Sequence, residues 1–236
     1  LLQAEPLNLA MRNGLINLKQ FPDFEQVAQE FYDYSFIPFT YKEGIWALPE
    51  TLTYPVLFYR KDLLKEMDVD LSDLNQWDTL LENVLPKLQK KSLTFGLLPS
   101  IQNYLMFCYQ RDGSMYEQDN KVSGLGSSGA IDSMKQYTML YTQYGLPISY
   151  DFANRFRTGE IPIAIADYTQ YNLLTVFAPE IKGLWGMRSV PGTVIDGQLR
   201  HTAVATVTGS AIIAKTEHPE ESWEFLKWWV SQDVQA

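Results

Sequence analysis

Aromatic and amide side chains beside turn residues are the strongest candidates for chemistry in this chain. They are Trp46 and Tyr54; Gln102, Asn103 and Tyr104; Tyr150 and Phe152; Tyr168, Gln170 and Tyr171; and Trp185 with Arg188. An aromatic face stacks on the C–H face of a sugar, while amides, carboxylates and guanidinium groups bond its hydroxyls. Ligand pockets combine an apolar lining with a few placed polar groups in this way. The same rings could instead serve only as core or rim packing. Glu50, Asp151, Glu160 and Asp167 offer a second chemistry, a carboxylate pair for glycoside hydrolysis. Sequence does not give their separation, and solvated or capping carboxylates are commoner.

Other chemistries find little support. Gly124-Leu125-Gly126-Ser127-Ser128-Gly129 has the letters of a dinucleotide-binding turn. That turn must follow an apolar strand, whereas the preceding Lys121-Val122-Ser123 is polar; a lead-in to a serine-capped helix fits better. His201 and His218 are far apart in sequence, so no metal is expected. No nucleophile elbow surrounds a serine, and Cys108 sits on an apolar helical stretch as a small hydrophobe. No cofactor is expected.

Composition narrows the class further. A net charge of −9 argues against nucleic acid as a partner, because phosphate binding needs a basic face. An apolar fraction of 46% is enough for a globular core. No apolar run is long enough to span a membrane. The chain starts at Leu1 without an initiator Met and reads as part of a longer protein.

Several elements must position these residues. Trp46 to Leu64 opens with prolines at 49 and 55, which hold Leu48 and Tyr54 extended, and then runs into the apolar strand Val56 to Tyr59. Such a segment could cross between two bodies or lie inside one sheet. Helices are expected from Phe24 to Phe31, from Trp77 to Leu88 with a kink at Pro86, from Asn103 to Gln110, and from Gly129 to Tyr144. Shorter ones are expected at Asp151 to Arg157 and Asp167 to Phe177, and a last one begins at Pro219. Phe36 to Tyr41 reads as extended, and a turn is expected around Gln118-Asp119-Asn120. Strands are expected at Leu93 to Leu98, Ile161 to Ala166 and Leu184 to Val190. Alternating strands and helices point to an α/β architecture with helices on both faces of a sheet.

The stretch from Ala47 to Leu63 resembles the corresponding segment of the family 1 extracellular solute-binding proteins of ABC transporters, the group of the maltose- and oligosaccharide-binding proteins. Four further stretches are similar in the same order: Gln76-Trp77-Asp78-Thr79-Leu80; Asn103-Tyr104 through Asp112-Gly113; Phe156-Arg157-Thr158-Gly159-Glu160 with the strand to Ala166; and Thr208 to Ala214 with Trp223-Glu224-Phe225-Leu226-Lys227-Trp228. The resemblance implies a periplasmic-binding-protein type II-like fold, with two α/β lobes joined by crossing strands and the first lobe incomplete. Residues 1–45 would be a partial first lobe, 46–207 the second lobe with the crossing strands, and 208–236 the return to the first.

It further implies an extracytoplasmic receptor, in the periplasm or on the outer face of the membrane, with a lipid anchor as one option. Such a receptor is a monomer that delivers a carbohydrate to ABC permease subunits by hinge closure and is not an enzyme. The family's binding positions map onto Glu50, Thr53 and Tyr54, onto Asn103 and Tyr104, and onto Tyr168 and Tyr171, with Trp185 and Arg188 as further candidates. A carbohydrate-active enzyme using Glu50 with Asp167 or Asp151, and a sensor or scaffold with the receptor fold, remain as alternatives.

Overall fold

The computed structural model describes residues 5–118 and 121–235. The chain divides into two compact units, 1–53 with 205–236, and 54–204. The division falls after Thr53 because strand Leu48–Thr53 takes its antiparallel partner, Thr206–Ser210, from the same unit. Segments 46–53 and 205–207, expected with the second lobe, therefore belong to the first unit.

The second unit is built on a four-stranded sheet in the order Phe95–Leu97, Ile163–Asp167, Pro55–Arg60, Trp185–Arg188. The first pair is parallel and the other two are antiparallel. Ile163–Asp167 is an interior strand, so Pro162, which has no N–H to give the ladder, stands just ahead of it. Side chains alternate between faces. Leu57, Ile163 and Ile165 enter the larger core with Trp77, Phe107 and Leu140 from helices Trp77–Thr79, Ile101–Gln110 and Ser128–Thr142. Val56, Phe58 and Ala164 enter a smaller core with Phe152, Phe156 and Leu174 from helices Phe152–Thr158 and Gln170–Phe177. Burying one such large side chain contributes about 1.5–3 kcal/mol, so both faces of the sheet are held firmly.

The expected kink at Pro86 takes a particular form. A π-helical turn, Leu80–Val84, separates Trp77–Thr79 from Leu85–Lys90, because proline offers no N–H and crowds the carbonyl one turn back. Ser127 caps the helix Ser128–Thr142 by accepting from the Ala130 N–H at 3.3 Å, which is the role expected for the glycine-rich stretch ahead of it. Of the expected polar turn, Asp119 and Asn120 lie outside the described residues.

The first unit packs Leu18, Phe21, Phe24 and Phe36 against Leu48, Ile212, Trp223 and Leu226. Phe21 and Trp223 stack at 4.8 Å with planes 2° apart. Asp23 fastens the same junction, accepting from Trp223 Nε1 at 2.7 Å and Lys227 Nζ at 2.6 Å. Helix Pro219–Trp229 is thereby tied to the start of the chain. Of Phe36 to Tyr41, expected to be extended, only Thr40–Tyr41 is a strand; the residues before it close the 3-10 helix Asp33–Phe39, where the aromatic run misled.

Candidate functional site

Tyr54 lies one residue before strand Pro55–Arg60, and Tyr168 lies one residue after Ile163–Asp167. Pro55 pairs with Asp167, so the antiparallel register sets the two tyrosines side by side. The Tyr168 N–H donates to the Tyr54 carbonyl at 2.9 Å, and their rings stack at 5.7 Å with planes 17° apart. Turning into helix Gln170–Phe177, the chain brings Tyr171 to 6.2 Å from Tyr168 with planes 3° apart. Trp185, on the edge strand, meets Tyr171 edge-on at 5.7 Å. The Trp185 ring is anchored in turn against Phe58 at 5.9 Å and Phe156 at 6.4 Å. Tyr54, Tyr168 and Tyr171 are each 40–42% exposed. A stacked run of this kind, rooted in the core at one end and open to solvent along its length, offers C–H-binding faces with hydroxyls at their rims.

Two cavities flank the run. One of about 340 Å³ is lined by Tyr54, Val56, Tyr168, Met187, His201 and Ala203, among others. The second, of about 270 Å³, is lined by Tyr171, Leu174, Trp185 and Met187, among others. Met187 borders both. The larger lies in the size range of small-ligand pockets, roughly 300–1,000 Å³.

Behind the larger cavity sits Gln110, fully buried on helix Ile101–Gln110. Its Oε1 accepts from Trp77 Nε1 at 3.0 Å and Thr193 Oγ1 at 2.9 Å, while its Nε2 donates to the Pro191 carbonyl at 3.0 Å and the Thr202 carbonyl at 3.1 Å. All the hydrogen-bonding capacity of the amide is used. It pins the residues that follow Val190 and His201 to the core.

The remaining candidates are placed differently. Arg188 borders the larger cavity, but its guanidinium donates to the Leu71 carbonyl and to Asn75 Oδ1, so it braces the turn Leu71–Asn75. Asn103 Nδ2 donates to the Leu98 carbonyl at 2.7 Å, next to the Ser100 cap. Tyr104 is buried, with its hydroxyl 3.3 Å from the Ala130 carbonyl. Burial pushes its phenol pKa up. Asn103 and Tyr104 border neither cavity. Glu50 and Thr53 belong to the first unit. The Glu50 carboxylate accepts from Ser210 Oγ at 2.6 Å and Trp229 Nε1 at 2.9 Å, and Thr53 pairs in register with Thr206.

Carboxylate chemistry has less to work with. Asp151 is a helix cap, accepting from the Asn154 N–H at 2.9 Å and from Asn154 Nδ2 at 3.0 Å. Glu160 pairs with Arg155 at 2.8 Å. Burial pushes the Cys108 thiol pKa up, the opposite of what a nucleophile needs. Among the described residues no group of three or more His, Cys, Asp or Glu could hold a metal ion, and no helix is long and apolar enough to cross a membrane.

Met187, His201 and Ala203 were not among the candidates read from sequence. They reach the site through the edge strand and the segment after the hairpin Thr193–Ile195/Gln198–Arg200. No local pattern marks them, since the cavity joins residues as distant as Tyr54 and Ala203.

A family model described as bacterial extracellular solute-binding protein matches residues 16–236. No curated protein sequence matches the chain. Among solved structures, the maltose-bound MalE3 of T. maritima superposes with a TM-score of 0.83 at 21% identity, covering 100% of this chain and 62% of that one. An ABC transporter solute-binding protein of Thermotoga lettingae bound with alpha-D-tagatose gives 0.80 at 20% identity, covering 98% and 62%. The GacH receptor of Streptomyces glaucescens, solved unliganded and with acarbose, gives 0.82 at 16% identity, covering 99% and 61%. At these identities the likeness is one of fold: the periplasmic-binding-protein type II architecture. The chain spans about three fifths of the length of these solved proteins.

Proposed function

The chain belongs to the bacterial extracellular solute-binding proteins, and from that premise we propose that it is part of a saccharide receptor delivering its ligand to an ABC importer by hinge closure. The family is extracytoplasmic and consists of binding proteins rather than enzymes. The observation that carries the saccharide reading is the run Tyr54–Tyr168–Tyr171–Trp185, three of its rings 40–42% exposed and bordered by a cavity of about 340 Å³. Amino acids and phosphate esters need a fixed countercharge. Arg188, the cationic side chain bordering that cavity, turns both Nη atoms to the Leu71 carbonyl and Asn75 Oδ1 and so aims donors at the protein. Neutral polyhydroxylated ligands need ring faces and hydroxyl-matching groups instead. The solved neighbours bound to maltose and alpha-D-tagatose agree with this choice. In this reading the two units, 1–53 with 205–236 and 54–204, correspond to the two lobes.

The test is titration of the full-length protein with maltose, maltotetraose, D-tagatose and D-mannitol beside an amino-acid and phosphate-ester panel. Tryptophan emission and melting temperature are followed together. A saccharide should quench or shift the emission and raise the melting temperature. Response only to an amino acid or a phosphate ester overturns the reading.

A further inference from the structure

We propose that His201 is a ligand-recognising residue of the Tyr54–Tyr168 cavity, presenting Nε2 as an oriented hydrogen-bond acceptor to a hydroxyl of the bound molecule. The proposal rests on the saccharide-receptor reading and assigns that site its selective polar contact. His201 Nδ1 lies 2.7 Å from the Val190 carbonyl oxygen. A carbonyl oxygen carries no proton, so Nδ1 must be the donor. In the neutral ring Nε2 then holds the free lone pair. Among the described residues no donor is hydrogen-bonded to Nε2.

The ring is held firmly in this orientation. Val190 is buried, and the next residue, Pro191, gives its carbonyl to Gln110 Nε2 at 3.0 Å. Thr202, next to His201, gives its carbonyl to the same nitrogen at 3.1 Å. One buried amide therefore fixes both partners of the His201–Val190 bond. The cavity around the ring is otherwise mostly aromatic and aliphatic: Tyr54, Val56, Tyr168, Met187 and Ala203. A fixed acceptor in such a wall rewards a ligand that turns an O–H toward it. It discriminates against one that offers an ether or deoxy carbon there, because the acceptor, once covered by the bound molecule, would be left unpaired.

Side-chain isosteres separate recognition from mere support of the loop. The His201→Asn amide nitrogen reaches the Nδ1 position and can keep the bond to Val190, but nothing reaches the Nε2 position. The His201→Gln amide reaches the Nε2 position and gives up Val190. Full-length variants are titrated with maltose, maltotetraose and D-tagatose, and their melting temperatures are recorded. The expected result is that His201→Asn melts like the wild type yet binds at least tenfold more weakly, while His201→Gln retains more affinity than His201→Asn. A purely supporting role gives the reverse order and overturns the proposal. Nitrogen-15 spectra of the histidine ring in the free protein provide a reading that needs no ligand: protonated Nδ1 with bare Nε2 is expected, and the opposite tautomer overturns the proposal. If no saccharide binds the wild type, the receptor reading fails by itself, and the ring spectra still decide how His201 is oriented.

Discussion

Trp77 Nε1 donates to Gln110 Oε1 across 3.0 Å inside a core that leaves both residues at 1% exposure or less. The indole is also packed against Phe107 at 4.3 Å. The bond therefore joins the hydrophobic centre of the second unit to the segment that walls its cavity. Through Gln110 the same amide holds the Pro191 and Thr202 carbonyls. Substituting Gln110→Leu leaves a buried indole N–H and the buried Pro191 carbonyl without partners, each costing about 1–3 kcal/mol before relaxation, and also releases the Thr193 hydroxyl and the more exposed Thr202 carbonyl. We expect a loss of about 3 kcal/mol in chemical denaturation together with weaker ligand binding. A stability loss with unchanged affinity would show that the wall holds its shape without the amide.

Tyr168 is stacked between Tyr54 and Tyr171 yet remains 40% exposed. Its removal should therefore affect binding more than folding. For Tyr168→Ala the expected stability change is about 1 kcal/mol or less, in line with aromatic-pair energies. Affinity for the preferred saccharide is expected to fall at least tenfold, which corresponds to about 1.4 kcal/mol. Tyr168→Phe should retain most of the stacking. Calorimetric titration of both variants checks the order; equal losses in the two would assign the effect to the hydroxyl rather than to the ring face.

These residues show which parts of the architecture are legible in local patterns. The alternating strand before Asp167, the proline-flanked strand after Tyr54 and the aromatics at their ends carry period-two and turn signals. That is why Tyr54, Tyr168, Tyr171 and Trp185 can be singled out as candidates without coordinates, and the strand register then brings their rings together. Asn103 carries the same kind of signal and turns out to bond the Leu98 carbonyl, because amides at helix starts serve the local backbone as readily as a ligand. Arg188 shows a similar ambiguity: its partners, Leu71 and Asn75, are far away in sequence. His201 and Gln110 have no local signature at all. They come together only when the Val190–Ala203 segment folds back on a helix that ends at Gln110.

Acid sensitivity should include a contribution from Asp62. Both its oxygens accept from Arg60, at 2.9 Å and 2.6 Å, and the Arg60 hydrogen bonds hold its carboxyl below the usual aspartate value. The arginine is itself buried and also donates to the Phe156 and Arg157 carbonyls. A folded-state value below the unfolded one stabilises the fold above about pH 3.9, the ordinary aspartate value. That stability is lost as pH falls through the lower folded value. Asp62→Asn should thus lower the melting temperature clearly at pH 7, and the gap from wild type should narrow in strong acid. A gap that widens on acidification contradicts the assignment.

Gly159 ends helix Phe152–Thr158 in the left-handed conformation, at φ +85°, just before the strand that leads to Tyr168. A side chain there meets two penalties. The left-handed backbone costs a non-glycine residue about 1–2 kcal/mol, and an added Cβ would come within 2.8 Å of Leu63 Cδ1. Gly145 provides the control, because it is also left-handed, at φ +69°, but an added Cβ there meets no atom within 4 Å. Gly145→Ala should show the backbone cost alone, about 1–2 kcal/mol. Gly159→Ala should exceed it, since Leu63 must yield as well. Denaturant unfolding of the two variants in parallel isolates the difference. Equal losses would mean that Leu63 rotates away freely, leaving the helix stop before Ile163–Asp167 dependent on backbone conformation only.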